Sequence, residues 1–264
     1  MSSRTFTLET MSNDAPPIVL IHGLWLSTDS WQGWVERYRA AGYVVHAPNW
    51  PADPGIGLAG ATDHFDAFVR SLPDAPIIIG HAMGGLIAQR LLDRGLGRSG
   101  VAIAPSKPRG VLRAPLSMWR SAWPWLRDPR DRRRAVSISP AHFHYAFANT
   151  VSRAESDRWH SKLAKPANSR AIYDIFTGDF QPRSRAASGV DFANSNRAPL
   201  LLVAGDRDHV MPESVVYENF NRYRRSSAPT DFKVFHGRPH LITVLDGWAD
   251  VADHALAWAA RHTR

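Results

Sequence analysis

The sequence contains no cysteine among its 264 residues. This absence excludes a disulfide framework, a thiolate nucleophile and any metal centre with cysteine ligands. It is compatible with a reducing compartment, and we expect a cytoplasmic protein. The longest apolar run near the N-terminus, Ile18–Ile21, is far too short to span a bilayer. The first residues also lack the apolar segment of a secretory signal, so we expect no stable membrane insertion.

Acidic residues are fewer than basic ones, 24 against 32, which gives a formal net charge of +8. Strong basicity is typical of proteins that bind nucleic acid or anionic membranes. The arginines are scattered here, however, apart from one run at residues 127–134 that also holds two aspartates and a proline. We interpret that run as a solvated surface segment, with an anion or nucleic-acid contact as the alternative. No nucleic-acid motif accompanies it, and we predict no nucleic-acid partner.

Strand-like and helix-like segments alternate over most of the chain. Short, continuously apolar runs are typical of parallel strands buried on both faces, whereas apolar residues at helical spacing indicate surface helices. The predicted strands cover residues 4–9, 18–21, 43–46, 77–79, 101–104, 200–204 and 232–235, and the predicted helices cover 30–41, 59–72, 83–94 and 244–261. This alternation predicts an α/β fold with a mostly parallel central sheet flanked by helices.

One long stretch, residues 107–198, breaks the alternation. It is rich in tryptophan, arginine, serine and proline, shows no βαβ unit, and contains helical fragments such as residues 140–149. A segment of this length inside a compact domain is rarely a single loop. We therefore predict a helical lid inserted at 107–198 into a core formed by residues 1–106 and 199–264.

The turn Gly-His-Ala-Met-Gly-Gly, residues 80–85, joins a predicted strand to a predicted helix. A strand that reverses into a helix within two residues strains its middle residue and requires small neighbours, here Gly80 and Gly84. The middle side chain then stands above the sheet at a helix N-terminus, where negative charge is favoured. That side chain is Ala82, whose methyl group cannot attack a substrate, while the N–H of Met83 points at the same place.

A second loop, His-Gly-Leu-Trp at residues 22–25, follows the first apolar strand. An oxyanion hole needs at least two converging donors. The backbone N–H of Leu24 is the natural partner of the Met83 N–H, with Trp25 as the alternative. His22 is interpreted as a brace that holds the loop by hydrogen bonds.

Four motifs follow predicted strands: HGLW, GHAMGG, AGDRDHVMP at 204–212 and GRPHL at 237–241. Together they resemble the α/β-hydrolase fold family, in its lid-bearing esterase and lipase branch, over nearly the whole chain. In that family a nucleophile, an acid and a histidine follow one another in this order. The resemblance implies Asp208 as the acid, with Asp206 as the runner-up, and His240 as the histidine that acts as base and then as acid. The sequence departs from the family's G-x-S-x-G elbow at its one reactive residue.

Three interpretations of Ala82 stay open. The first is a hydrolase of carboxylic esters, or of lactones or amides, whose serine was changed to alanine to trap ligand. The second is a natural ligand-binding protein without catalysis. The third is an enzyme run by the His240–Asp208 dyad alone, of the lyase or cofactor-independent oxygenase type. The retained acid and histidine favour the first interpretation.

The expected ligand is a small, apolar or aromatic ester. Trp119, Trp123 and Trp125 are predicted to form an apolar wall of the pocket, with ordinary lid packing or membrane-surface docking as alternatives. Trp25, His81 and Ser106 are further candidate substrate-binding residues. Neither a metal nor an organic cofactor is implied, and the oligomeric state is left open.

Overall fold

The computed structural model describes residues 15–53, 55–126, 134–182 and 186–263. The predicted edge strand at residues 4–9 and most of the basic run at 127–134 lie outside these residues. Within them, the strands are β1 (Ile18–Ile21), β2 (Val45–His46), β3 (Ile77–His81), β4 (Ser99–Ile103), β5 (Ala135–Val136), β6 (Ala167–Asn168), β7 (Leu200–Gly205) and β8 (Thr230–Phe235). The helices are α1 (Gln32–Ala40), α2 (Leu58–Arg70), α3 (Met83–Asp93), α4 (Leu116–Leu126), α5 (Pro140–Phe147), α6 (Arg153–Leu163), α7 (Arg170–Gly178), α8 (Glu213–Arg222) and α9 (Trp248–Arg261).

Six of these strands form one sheet in the order β2-β1-β3-β4-β7-β8, and every neighbouring pair is parallel. The predicted α/β class with a parallel sheet is therefore confirmed. The carboxyl ends of parallel strands share one edge of the sheet, where open α/β sheets bind their ligands. All four motifs singled out in the sequence begin at or just beyond the ends of β1, β3, β7 and β8.

Both faces of the sheet are buried, which explains the uninterrupted apolar runs. Side chains of a strand point alternately to opposite faces. Ile18 and Leu20 accordingly pack into a cluster with aromatic residues of α1 and with α9, while Val19 and Ile21 pack against α2, α3 and α8. A strand covered by helices on both sides cannot alternate apolar and polar residues.

Residues 107–198 contain, in their described part, helices α4 to α7 and the antiparallel pair β5–β6. None of these elements joins the main sheet. Helices α4, α5 and α7 contribute to a cavity at the carboxyl edge of the sheet, together with residues that follow β1 and β3. The division into a core of 1–106 and 199–264 and a lid of 107–198 stays a prediction.

Several element boundaries differ from those predicted. The helix expected at residues 30–41 is a 3-10 turn, Thr28–Trp31, followed by α1. The last helix begins at Trp248 instead of 244, because Gly247 adopts a left-handed φ of 83° that an α-helix cannot contain. In the part of the chain that the structure describes, no helix has the length and apolar character needed to cross a membrane.

Candidate active site

The tight turn between β3 and α3 holds Ala82 in a strained conformation, with φ 52° and ψ −115°. Its N–H donates to the carbonyl of Ile103 at the end of β4, at 2.9 Å, and its carbonyl accepts the N–H of Ser106, also at 2.9 Å. A positive φ is costly for a residue with a side chain and persists only where the surroundings enforce it. These cross-strand hydrogen bonds supply that enforcement.

Glycines make the turn possible by letting backbone segments touch. A Cβ on Gly80 would overlap the carbonyl of Gly84, and one on Gly84 would overlap the carbonyl of Ile21. A Cβ on Gly23 would lie 2.9 Å from the Cβ of Ala82. The loop after β1 therefore passes directly against the methyl group of Ala82.

Asp208 and His240 form a buried pair beyond the ends of β7 and β8. One carboxylate oxygen, Oδ2, lies 2.7 Å from Nδ1 of His240. The other, Oδ1, accepts the backbone N–H groups of Val210 and Met211 at 2.7 and 2.8 Å. Both side chains are almost completely buried, at 0 % and 1 % exposure. With Nδ1–H donated to the carboxylate, Nε2 of His240 is the nitrogen left to accept a proton.

Asp206, the alternative acid, is engaged elsewhere. Its Oδ1 accepts the N–H of Gly237 at 2.6 Å, and its Oδ2 lies 3.2 Å from Nδ1 of His236, whose side chain is exposed. These bonds tie the turn after β7 to the turn after β8. The geometry thus pairs His240 with Asp208 and gives Asp206 a structural contact.

A cavity opens between the carboxyl edge of the sheet and the helices of residues 107–198. It brings together Ala82, Met83, Leu24 and His240 from the sheet side. Its lining is mostly apolar; the other residues are Trp25, Ser106, Met118, Ser121, Ala122, Trp125, Ala146, Phe147, Ile172, Ile175, Phe176, Val210 and Met211. An enclosed apolar space with one convergent polar group is the usual form of a small-molecule site.

Comparison with known proteins agrees with this arrangement. The model of the alpha/beta hydrolase family matches residues 18–254. The chain belongs to the α/β-hydrolase family. Among curated proteins, a pimeloyl-[acyl-carrier protein] methyl ester esterase of Aromatoleum aromaticum is 35 % identical over 81 residues, which cover 30 % of this chain and 32 % of that protein. The match thus spans about a third of the relative's length.

Solved structures with the same fold align with most of the length of this α/β hydrolase. A monoacylglycerol lipase of Paleococcus ferrophilus has a TM-score of 0.68 at 19 % identity, with 94 % of this chain and 96 % of that chain covered. Tomato methylketone synthase I, in complex with 2-tridecanone, has a TM-score of 0.70 at 16 % identity, with 94 % and 99 % covered. At such identities the likeness concerns the fold.

Three of the predicted substrate-binding residues of this α/β hydrolase do not line the cavity. His81 is the last residue of β3 and lies behind His240, where it is buried against that residue's carbonyl and ring. Trp119 and Trp123 lie four residues apart on the outer face of α4, with 43 % and 60 % of their surface exposed, and Trp119 packs on Phe176. Trp25, Ser106 and Trp125 do line it.

The cavity residues that the sequence did not single out come mainly from α4, α5 and α7. Met118, Ser121, Ala122 and Trp125 recur at the three- and four-residue spacing of one helical face. That spacing is the signal that points to the inner face of α4. Among the described residues, no group of three or more histidine, aspartate or glutamate side chains is arranged to hold a metal ion.

Two further histidines support the site from behind. His81 donates from Nε2 to the carbonyl of His240 at 2.8 Å, and the two rings lie 4.8 Å apart. His22 donates from Nδ1 to the carbonyl of Gly23 at 2.9 Å, in line with its predicted bracing of the loop. Burial lowers the pKa of His81 well below its usual value, and the neighbouring His240 lowers it further. Burial also lowers the pKa of His22, to about 4.

The lowered pKa of His22 predicts a loss of stability in mild acid. In the unfolded chain the ring takes up a proton near pH 6.5, whereas in the folded protein it stays neutral until about pH 4. The unfolded state therefore binds more protons in this window, so the free energy of unfolding falls as the pH drops from 6.5 to 4. We expect His22 to account for a loss of about 2 kcal/mol by pH 5.

Urea unfolding of the protein and of His22→Asn, at about pH 7.5 and about pH 5, checks this prediction. The asparagine keeps a hydrogen-bond donor in the loop but does not titrate. The variant is expected to lose about 2 kcal/mol less than the protein over the same interval. Equal losses in both proteins would mean that other groups, His81 among them, carry the acid sensitivity.

Proposed function

We propose that the chain carries the site of a carboxylic-ester hydrolase in which alanine takes the place of the nucleophilic serine. The site as it stands then binds an apolar ester without turning it over. The observation that carries the proposal is the buried Asp208–His240 pair, which opens into the same cavity as Ala82. Burying an acid and a histidine is costly unless they are paired, and the pair is the general base of this family's chemistry.

The backbone at position 82 also supports a nucleophile there. Ala82 keeps the φ of 52° that presents its side chain above the sheet. It precedes Met83, the first residue of α3, whose N–H has no partner within the helix. Leu24 and Met83 line the cavity beside it, so their N–H groups are the candidate oxyanion donors. These features support an acyl-transfer site that lacks only the hydroxyl.

The reaction follows from these parts once a serine occupies position 82. Nε2 of His240 takes the hydroxyl proton, and the oxygen attacks the ester carbonyl. The N–H groups of Leu24 and Met83 stabilise the negative oxygen, and Asp208 stabilises the protonated ring. The alcohol leaves with the proton from His240, and water releases the acid by the same steps. With alanine at position 82 the reaction does not proceed beyond the bound ester.

The chemistry of the cavity indicates the ligand class. Its mostly apolar lining suits an acyl group that is polar only at the reacting carbonyl. The names of two similar proteins, a methyl ester esterase and a monoacylglycerol lipase, both refer to acyl esters. We therefore propose an alkyl or aryl ester of an apolar acid as the ligand.

A second candidate is a proton-transfer reaction of the dyad alone, in particular the decarboxylation of a β-keto acid. The favouring observation is that the pair and both oxyanion donors persist without a nucleophile. Tomato methylketone synthase I, which shares the fold, has been solved with β-ketoheptanoate and with 2-tridecanone. In such a step His240 first takes the proton of the carboxylic acid. The C–C bond to the carboxylate then breaks, carbon dioxide leaves, the enolate oxygen rests on the donors, and His240 returns the proton to carbon to complete the methyl ketone.

One experiment separates the two candidates. The protein and its Ala82→Ser variant are each given a panel of aryl and alkyl esters and a panel of β-keto acids. Ester hydrolysis by the variant alone supports the hydrolase. Carbon dioxide release from β-keto acids by the unmodified protein, lost in His240→Ala, supports the dyad reaction. If serine restores hydrolysis of no ester, the first proposal is wrong.

A further inference from the structure

The loop at residues 22–25 separates the apolar cavity from a second one. The second cavity is lined by residues 22–26 of this loop and by residues of three other stretches of the chain. Among the described residues, the two cavities share only Leu24 and Trp25 in their linings. Leu24 and Trp25 therefore form part of the wall between the space beside His240 and a neighbouring space.

Trp25 is the larger of the two shared residues and is held from three directions. Its ring packs against Trp125 with centroids 4.1 Å apart, and its Nε1 donates to the carbonyl of Val136 at 3.0 Å. Its own carbonyl accepts the N–H of Lys165 at 3.0 Å. These contacts fix the indole in place, and its backbone keeps a left-handed φ of 60°. A large residue held at such a φ is uncommon and points to a specific requirement.

The second cavity differs in character from the first. Apolar side chains of Ile56, Ala52 and Pro166 line it, but so do His22, Trp50 and Asp53. Trp50 is occupied, since its Nε1 donates to the carbonyl of His22 at 2.9 Å. The space thus continues the apolar cavity towards a more polar end, which suits the far end of a long ligand.

We propose that Trp25 determines ligand length: it closes the apolar cavity, and the second cavity is a latent extension of the same site for longer acyl chains. The inference rests on the proposed function only in taking an acyl compound as the ligand. Removal of the indole is expected to join the two cavities, since among the described residues only Leu24 and Trp25 border both. Trp25 is thus a specificity-determining residue for the length of the acyl group.

The test measures binding and so does not depend on catalysis. Methyl esters of straight-chain acids of about four to about fourteen carbons compete with a fluorescent apolar probe for the unmodified protein. Each buried methylene tightens binding by about fourfold. We expect affinity to rise with length until the apolar cavity is full and then to stop rising. In Trp25→Ala the rise should continue for about three more methylenes, a gain of roughly 50-fold for the longest esters.

Two further variants make the result specific. Ile56 lines only the second cavity, so Ile56→Ala alone should leave the length profile unchanged and should extend it only when combined with Trp25→Ala. Trp25→Phe keeps an aromatic wall but loses the hydrogen bond to Val136. Its affinity should stop rising at the same ester length as in the unmodified protein. A phenylalanine variant that behaves like the alanine variant would show that loop loosening, not the wall, sets the length.

The outcomes distinguish this inference from the proposed function. If short esters bind and affinity stops rising at the same ester length in the protein and in Trp25→Ala, the proposed role of Trp25 is wrong but the ester site is supported. Failure of every ester to bind to any of the proteins overturns the ester site and the inference together. Circular dichroism on each variant identifies a loss of fold. If Trp25→Ala does not fold, the double variant Trp25→Phe with Ile56→Ala is measured instead. An increase in affinity that extends to longer esters in that double variant would contradict the role of the Trp25 ring as a wall.

Discussion

The Ala82→Ser variant is expected to hydrolyse its best aryl ester at least roughly a thousandfold faster, in kcat/KM, than the unmodified protein. A triad acts as a unit, so restoring one missing member restores the whole effect, which in serine hydrolases amounts to several orders of magnitude. The strained φ of Ala82 and the bond between His240 and Asp208 are already in place. The substitution therefore adds one oxygen atom to a preorganised site.

Controls in the same background identify the source of that gain. His240→Ala in the Ala82→Ser protein should return hydrolysis to the level of the unmodified protein. Asp208→Asn should lose about four orders of magnitude, because an amide facing Nδ1 favours the wrong tautomer of the ring. Ala82→Gly, which adds no hydroxyl, should gain nothing. A thousandfold gain that survives His240→Ala would show that another group activates the serine.

Gly84→Ala is expected to prevent folding, or to lower the free energy of unfolding by more than about 4 kcal/mol. Helix propensity alone argues the opposite, since alanine is about 1 kcal/mol better than glycine inside a helix. The added Cβ, however, would overlap the carbonyl of Ile21 and come within 2.9 Å of the carbonyl of His22. Backbone atoms at the end of β1 cannot rotate away as a side chain can, so the overlap outweighs the propensity.

Gly42→Ala provides the matched control for that prediction. Gly42 has a φ of 88°, and a Cβ there would meet nothing within 4 Å. Its substitution adds backbone strain without a clash and should cost about 1 kcal/mol. Urea unfolding of both variants at neutral pH measures the difference. A Gly84→Ala protein as stable as Gly42→Ala would mean that β1 and α3 can move apart.

The sequence predicted the sheet and its strand-end motifs because both depend on local patterns. Four-residue apolar runs, a glycine turn and a histidine after a strand are visible within short windows. Parallel strands then place their carboxyl ends together without further information, which brings Asp208 to His240. The position of His81 depends instead on a contact between distant segments, because its ring packs beside that of His240 and does not line the cavity.

The lining contributed by residues 107–198 was harder to predict, for a physical reason. Helix α4 has the sequence LSMWRSAWPWL, with large apolar residues all around its circumference. The tryptophans lie on more than one side of this helix, so residue type alone gave Trp119 and Trp123 the same expected role as Trp125. The choice depends on contacts with distant segments, such as Trp25 against Trp125. The second cavity likewise depends on residues from four separate stretches of the chain.

The strand order has a consequence for how the protein is made. β4 pairs with β7, and residues 107–198, the predicted lid, are translated between them. During synthesis, β1, β3 and β4 emerge first, and β4 presents an open hydrogen-bonding edge until β7 leaves the ribosome. Unpaired apolar strand edges are where nascent chains aggregate. A chain stopped within residues 107–198 should therefore depend on chaperones, and only the completed chain brings His240 to the elbow and closes the sheet.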